Sequence, residues 1–100
     1  MDTLRQTPGF PAWLDRLADR RAQLRIVARW RLAEAGNLGE GTAVGGNVAE
    51  RRVDVGPGYR VYFTRRDAVL IVLLAGGTKS TQTRDIQRAQ RLARDLEWAS

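Results

Sequence analysis

The sequence predicts an α+β fold, and three observations carry the prediction. Apolar residues recur at helical spacing near both ends of the chain, Gly56-Pro57-Gly58 sits between two alternating segments, and an almost unbroken apolar run follows the second of them. The expected order is helix, helix, strand, strand, strand, helix, with residues 1–5 able to add an edge strand. That order implies an antiparallel sheet with helices on one face. A chain of 100 residues with 43% hydrophobic content supports one core, so residues 1–100 are expected to form a single domain.

Thr7-Pro8 reads as an N-cap followed by proline at the first helical position, after which Phe10, Trp13, Leu14 and Leu17 form an aromatic-rich helical face. Asp19 can cap a second helix reaching about Ala35, with Ala22, Ile26, Trp30 and Ala33 on one side and Gly36-Asn37 as its stop. So short a connection predicts an antiparallel helical hairpin. Residues 36–47 hold five glycines without periodicity and read as a long loop.

Segments 48–55 and 59–66 then form a β-hairpin about Gly56-Pro57-Gly58. With a three-residue loop, Val55 opposes Tyr59, Asp54 opposes Arg60, Arg52 opposes Tyr62 and Glu50 opposes Thr64. Ala49, Val53, Val55, Tyr59, Val61 and Phe63 share one face; Glu50, Arg52, Asp54, Arg60, Tyr62 and Thr64 share the other. Residues 68–75 read as a central strand covered on both faces. After Gly76-Gly77, Ser80 or Thr81 can cap a last helix whose buried stripe is Ile86, Ala89, Ala93 and Leu96.

Composition narrows the chemistry. Lys+Arg 17 against Asp+Glu 11 gives a net charge of +6, which attracts nucleic acid, an acidic partner or an anionic surface. All basic residues but Lys79 are arginine, which suits bidentate phosphate contacts and equally a codon bias. Without cysteine there are no disulfides, thiolate metal sites or thiol nucleophiles. Without histidine, hydrolase triads and imidazole acid–base pairs are excluded too. No carboxylates show metal-ligand spacing, so no metal or other cofactor is expected. Neither the N-terminus nor residues 69–75 has an apolar stretch long enough for a signal peptide or a membrane span, so a cytoplasmic protein is expected.

One hairpin face gathers Arg52, Arg60, Tyr62, Glu50 and Asp54. Guanidinium groups there can hold non-bridging phosphate oxygens and the charge of a pentacoordinate phosphorus, while Tyr62 can orient or relay a proton. The same residues also suit ordinary ion pairs on a solvated sheet face. Lys79 stands beside a helix start, where backbone N–H groups bind anions. Arg21, Arg25 and Arg29 on the second helix and Arg84, Arg88 and Arg91 on the last can track a phosphate backbone or simply face solvent, and Arg51 and Arg65 add to the basic hairpin. Trp13 and Trp30 lie on apolar helix faces and read as core.

"RVDVGPGYRVYF" (52–63), the apolar strand after it, "GGTKSTQTRDI" (76–86) and "ARDLEWA" together resemble the HigB-like, or Gp49-like, addiction module killer proteins of the RelE/ParE toxin superfamily. "FPAWLDRLADRRAQLRIVARWRLAEAGNLGE" (10–40) resembles their helical hairpin. The resemblance implies a RelE-like fold: an N-terminal helical hairpin on a small antiparallel sheet with a C-terminal helix. It implies a toxin of a type II toxin–antitoxin system, a metal-independent endoribonuclease (mRNA interferase) acting on messenger RNA at the ribosome. A helix-turn-helix, HigA-like antitoxin would neutralise it.

Matched by position, Arg60 corresponds to an arginine near the scissile phosphate, Arg52 to a basic residue on the preceding strand, and Lys79 to the basic residue before the last helix; Tyr62 rests on the strand-face argument alone. The sequence departs from the family at Thr42, where a basic residue is frequent, and at Thr78, where an acidic one is. Two other activities fit the same superfamily or surface: ParE-like inhibition of DNA gyrase, and an inactive module that only binds its antitoxin.

Overall fold

The computed structural model describes residues 3–34, 41–66 and 70–99. The chain forms β1 (Thr3–Gln6), α1 (Gly9–Asp15), α2 (Arg20–Glu34), β2 (Thr42–Gly45), β3 (Val48–Val53), β4 (Tyr59–Arg66), β5 (Leu70–Thr78), a 3-10 turn at Lys79–Thr81, and α3 (Gln82–Ala99). The class is α+β, with a five-stranded sheet of order β1-β5-β4-β3-β2. Two features of the expected architecture are corrected. The sheet is mixed, because β1 runs parallel to β5, and helices cover both of its faces: α1 and α2 close one core, α3 the other.

Two-sided burial explains the apolar run in β5. Ile71 and Leu73 enter the core beneath α1 and α2, while Val72, Leu74 and Ala75 enter the core beneath α3. Adjacent residues Leu74 and Ala75 share a side because the pairing with β4 shifts between Tyr62↔Ala75 and Phe63↔Leu73, a β-bulge that leaves Leu74 unmatched on β4. The Thr7 hydroxyl donates to the Leu74 carbonyl at 2.7 Å, and the Thr7 N–H to that of Leu73 at 2.9 Å. Thr7 therefore ties β1 to the bulge instead of capping α1, whose N-cap is Pro8.

Asp19 caps α2 as expected, its Oδ1 accepting from the Arg21 and Ala22 N–H groups at 2.9 and 3.3 Å. The Gln23 amide donates to the Leu14 and Leu17 carbonyls (3.0 and 3.1 Å), closing the C-terminal end of α1. Phe10 meets Trp30 edge-on at 4.9 Å and Trp13 at 5.6 Å. The expected stop at Gly36-Asn37 lies outside the described residues.

The glycine-rich stretch is not all loop, since β2 pairs antiparallel with β3. Gly46 and Asn47, at φ 62° and 60°, supply the two left-handed positions of a tight hairpin turn. Gly-Asn in place of the commoner Asn-Gly hid that turn from the sequence.

The β3–β4 register also differs from expectation. Val53 opposes Tyr59, Arg52 opposes Arg60, Glu50 opposes Tyr62 and Ala49 opposes Phe63. The connection is five residues long, closed by a Gly58 N–H to Val55 carbonyl bond of 3.1 Å. A two-residue shift preserves which side chains share a face and changes which ones meet.

Gly76 and Gly77 continue β5, where the sequence suggested its end. A Cβ on Gly76 would lie 2.3 Å from the Trp13 ring, and one on Gly77 1.8 Å from Asp85 Oδ2. The first is indole packed against bare backbone, so Gly76→Ala should destabilise by about 1–3 kcal/mol. Urea unfolding measures this: the midpoint should fall with an unchanged slope, and the Trp13→Ala background should remove most of the penalty.

Candidate nucleic-acid interface

The register places Arg52, Arg60 and Gly77 side by side across β3, β4 and β5, on the α3 side of the sheet. Lys79 follows two residues after Gly77, in the exposed turn leading into α3. Three residues proposed from sequence to handle a phosphodiester, Arg52, Arg60 and Lys79, thus belong to one end of one face. They differ in surroundings. Arg52 is 66% exposed and only loosely paired with Asp54 at 3.9 Å. Arg60 is 12% exposed, its Nε 3.3 Å from Oε1 of Glu50, itself 7% exposed.

These pairings correct the sequence expectation. The sequence places Asp54 opposite Arg60 and Glu50 opposite Thr64; in the observed register Arg60 reaches Glu50 and Asp54 is left to Arg52, so the Arg52 pair is at the surface and the Arg60 pair is buried. A solvated pair contributes little, whereas removing one member of a buried pair strands the other charge and costs about 3–5 kcal/mol.

Tyr62 lies on the same face but is fully buried, within the apolar cluster beneath α3. Among the described residues its hydroxyl makes no well-formed hydrogen bond, and the carboxylate it senses most is that of Glu50. Burial, then the neighbouring Glu50 carboxylate and the charge of Asp85, push the phenol above its ordinary range, with Arg60 opposing. In this arrangement Tyr62 is a neutral interior group.

Sequence reasoning missed Gln82 and Asp85 and left Glu50 as a face residue. Gln82 Nε2 donates to Glu50 Oε2 at 2.9 Å. Asp85, 6% exposed in the first turn of α3, accepts from the Thr81 hydroxyl and lies against Gly77, a position where the helix dipole favours a carboxylate. Thr78 begins the turn, its N–H reaching Thr81 Oγ1 at 3.3 Å and its hydroxyl 2.9 Å from Ser80 Oγ. Thr78 caps the 3-10 turn, and α3 begins at Gln82, directly after the predicted Thr81. The visible signal was Gly77 itself, since a glycine inside a strand marks a close approach.

The remaining proposed RNA contacts do not form one surface. Arg84 is on the α3 face, 78% exposed and 3.8 Å from Asp85. Arg51 and Arg29 line a small apolar cavity of about 20 Å³ beneath α2, on the opposite side of the sheet. Arg25 is exposed on α2, and Arg65 is exposed toward the far end of β4. No group of residues arranged to hold a metal ion occurs among the described residues, and no described helix is long and apolar enough to cross a membrane.

No family model matches the chain. Over 93 residues, covering 93% of this chain and 94% of the other, it is 42% identical to an uncharacterized protein of Haemophilus influenzae (strain ATCC 51907 / DSM 11121 / KW20 / Rd). The chain belongs to the family of that protein. Similarity across nearly all of both chains carries the fold, and the relative's description names no activity.

The Tyr62 environment predicts an alkaline limit to stability. Folding favours the neutral phenol, so its contribution is intact below the ordinary value of 10.0 and is lost as pH rises above it. The Tyr62 phenolate absorbance should therefore emerge together with loss of near-ultraviolet circular dichroism. Tyr62→Phe, which removes the group whose ionisation opposes folding, should extend the alkaline range of the folded state.

Proposed function

We propose that this protein is the toxin of a type II toxin–antitoxin pair, with a RelE-like fold, and that it cleaves messenger RNA at the ribosome without a metal ion. The observation that supports this most is the alignment of Arg52 and Arg60 across adjacent strands, with Lys79 beyond the neighbouring end of β5. Cationic residues on neighbouring strands beside a helix start suit a phosphodiester. The resemblance of the hairpin and 76–86 segments to HigB-like killer proteins points the same way.

In the proposed reaction the RNA 2′-oxygen attacks the adjacent phosphorus and the bond to the 5′-oxygen breaks. The products are a 2′,3′-cyclic phosphate and a 5′-hydroxyl. The 2′-hydroxyl proton leaves to solvent or a ribosomal group, and the departing 5′-oxygen gains one. Arg52, Arg60 and Lys79 would stabilise the added negative charge at phosphorus, work that positioned cations perform without proton transfer of their own.

For the antitoxin, the outer face of α2 offers a matching surface. Leu24 and Leu32, 59% and 43% exposed, are the exposed large apolar residues among those described, and Arg21, Arg25 and Arg31 stand exposed around them. An acidic amphipathic segment of the antitoxin would satisfy both characters. Leu24→Glu with Leu32→Glu should weaken neutralisation while leaving toxicity intact, measured as growth with and without the antitoxin.

The decisive experiment is induction of the chain alone in cells with transcriptome-wide mapping of new 5′ ends. Growth arrest with new ends in translated regions is expected, and Arg52→Ala, Arg60→Ala and Lys79→Ala should each reduce those ends about 10²–10³-fold, the range for loss of a charge-stabilising group. Arrest without new ends would instead indicate gyrase inhibition, and unimpaired growth a protein that only binds its antitoxin.

A further inference from the structure

Glu50 is held from two directions at once. Its Oε1 lies 3.3 Å from Nε of Arg60 on β4, while its Oε2 accepts from the Gln82 amide in the first turn of α3 at 2.9 Å. An unconstrained carboxylate engages arginine at two points, one oxygen to each of two nitrogens. Here Oε2 accepts from Gln82, and Arg60 approaches Oε1 at Nε. Among the described residues, no hydrogen bond engages Nη1 or Nη2 of Arg60. The Nε itself is buried and close to Glu50 without an aligned hydrogen bond, so a slight turn of the guanidinium would complete that bond.

The geometry points to Glu50 and Gln82 as positioning residues: together they grip Arg60 by its Nε edge and leave its Nη edge for the non-bridging oxygens of an RNA phosphate. This rests on the phosphate-binding role proposed above and deepens it, because it gives Glu50 a task other than proton transfer. A carboxylate with both oxygens engaged, at 7% exposure, is an anchor and not a free base. Gln82 is the link that makes Arg60 depend on α3: if the amide is lost, Glu50 can rotate, take both edges of the guanidinium and withdraw it from the phosphate.

The test uses the purified full chain and a short 2′-O-methyl RNA oligonucleotide, which binds but offers no free 2′-hydroxyl for cleavage. Affinity is measured by fluorescence anisotropy for the wild type, Gln82→Ala, Glu50→Gln and Glu50→Ala, each alone and combined with Arg60→Ala. Arg60→Ala should weaken binding about tenfold and lower the dependence on salt by roughly one counterion. Gln82→Ala should weaken binding about fivefold when Arg60 is present and have no effect when it is absent, the mark of residues acting through one another. Glu50→Gln, which retains an acceptor for Nε, should stay near wild type, whereas Glu50→Ala should fall with Gln82→Ala.

Tighter binding by Glu50→Ala, or equal effects of Gln82→Ala with and without Arg60, would overturn the positioning role, showing the carboxylate to be a competitor or a bystander. Should Glu50→Ala or Arg60→Ala fail to fold, Arg60→Lys, which keeps a cation beside Glu50 but has no Nη edge, takes the place of Arg60→Ala in the cycle with Gln82→Ala. Coupling through Arg60 without RNA cleavage in any assay would sustain the positioning role and refute the nuclease. No effect of Arg60→Ala on binding would refute both.

Discussion

The backbone of β5 is approached from both sides at two successive residues, and the rest of the molecule is arranged around that approach. Trp13 from α1 lies on Gly76, and Asp85 from α3 lies on Gly77. Neither contact tolerates a β-carbon, so the two glycines fix how closely the flanking helices can come. The bulge one step earlier turns Leu74 and Ala75 to the same side, restoring the alternation needed for Gly76 to face α1 and Gly77 to face α3. Thr7 occupies the Leu74 carbonyl there, recruiting β1 to the sheet. Helix packing, strand order and the bulge are thus parts of one constraint.

Its consequence for the candidate site is positional. Because α3 is drawn down onto Gly77, its first turn reaches the strand pair beyond, and Gln82 touches Glu50. The polar groups Glu50, Arg60, Tyr62 and Asp85 then lie between the sheet and the helix start instead of facing open water. Such a cluster is costly to bury and is weak evidence for stability. Its physical merit is fixity, since an arginine buried to 12% exposure gives up conformational freedom during folding that a surface arginine would give up on binding phosphate. Arg52, on the same face at 66% exposure, remains adaptable.

Much of this was legible in the sequence wherever periodicity was strong. The apolar run announced β5, Asp19 announced the start of α2, and the Ile86, Ala89, Ala93 and Leu96 stripe announced the buried side of α3. The two faces of the hairpin were sorted correctly because a two-residue shift keeps parity. Its ion pairs were not, because a five-residue connection carrying Gly56-Pro57-Gly58 resembles a three-residue one on paper. The apolar run of β5 announced cover on both faces, yet the element order suggested helices on one; which helix lies on which face, and the parallel pairing of β1 with β5, are contacts over long sequence separation that no local pattern encodes. Thr7 illustrates the limit, being a good helix cap by type and a strand-end donor by circumstance.

Arg51 and Arg52 show why charge composition alone could not outline an interface. Adjacent on β3, they belong to opposite sides of the sheet, so one lies against the small cavity under α2 and the other beside Arg60. An RNA strand passing over the α3 side would meet Arg52, Arg60, Lys79 and Arg84 without touching Arg51, Arg29 or Arg25. The net charge of +6 is thus divided between the two sides of the sheet: attraction at long range sums over both, whereas contact with any one anion depends on which arginines share a side. On α2 the arginines alternate with exposed leucines, a character suited to a protein segment with acidic and apolar faces. Division of one basic composition between a fixed polar cluster and an amphipathic helix face would, under the proposed function, let a neutralising partner hold the protein without covering Arg52 and Arg60.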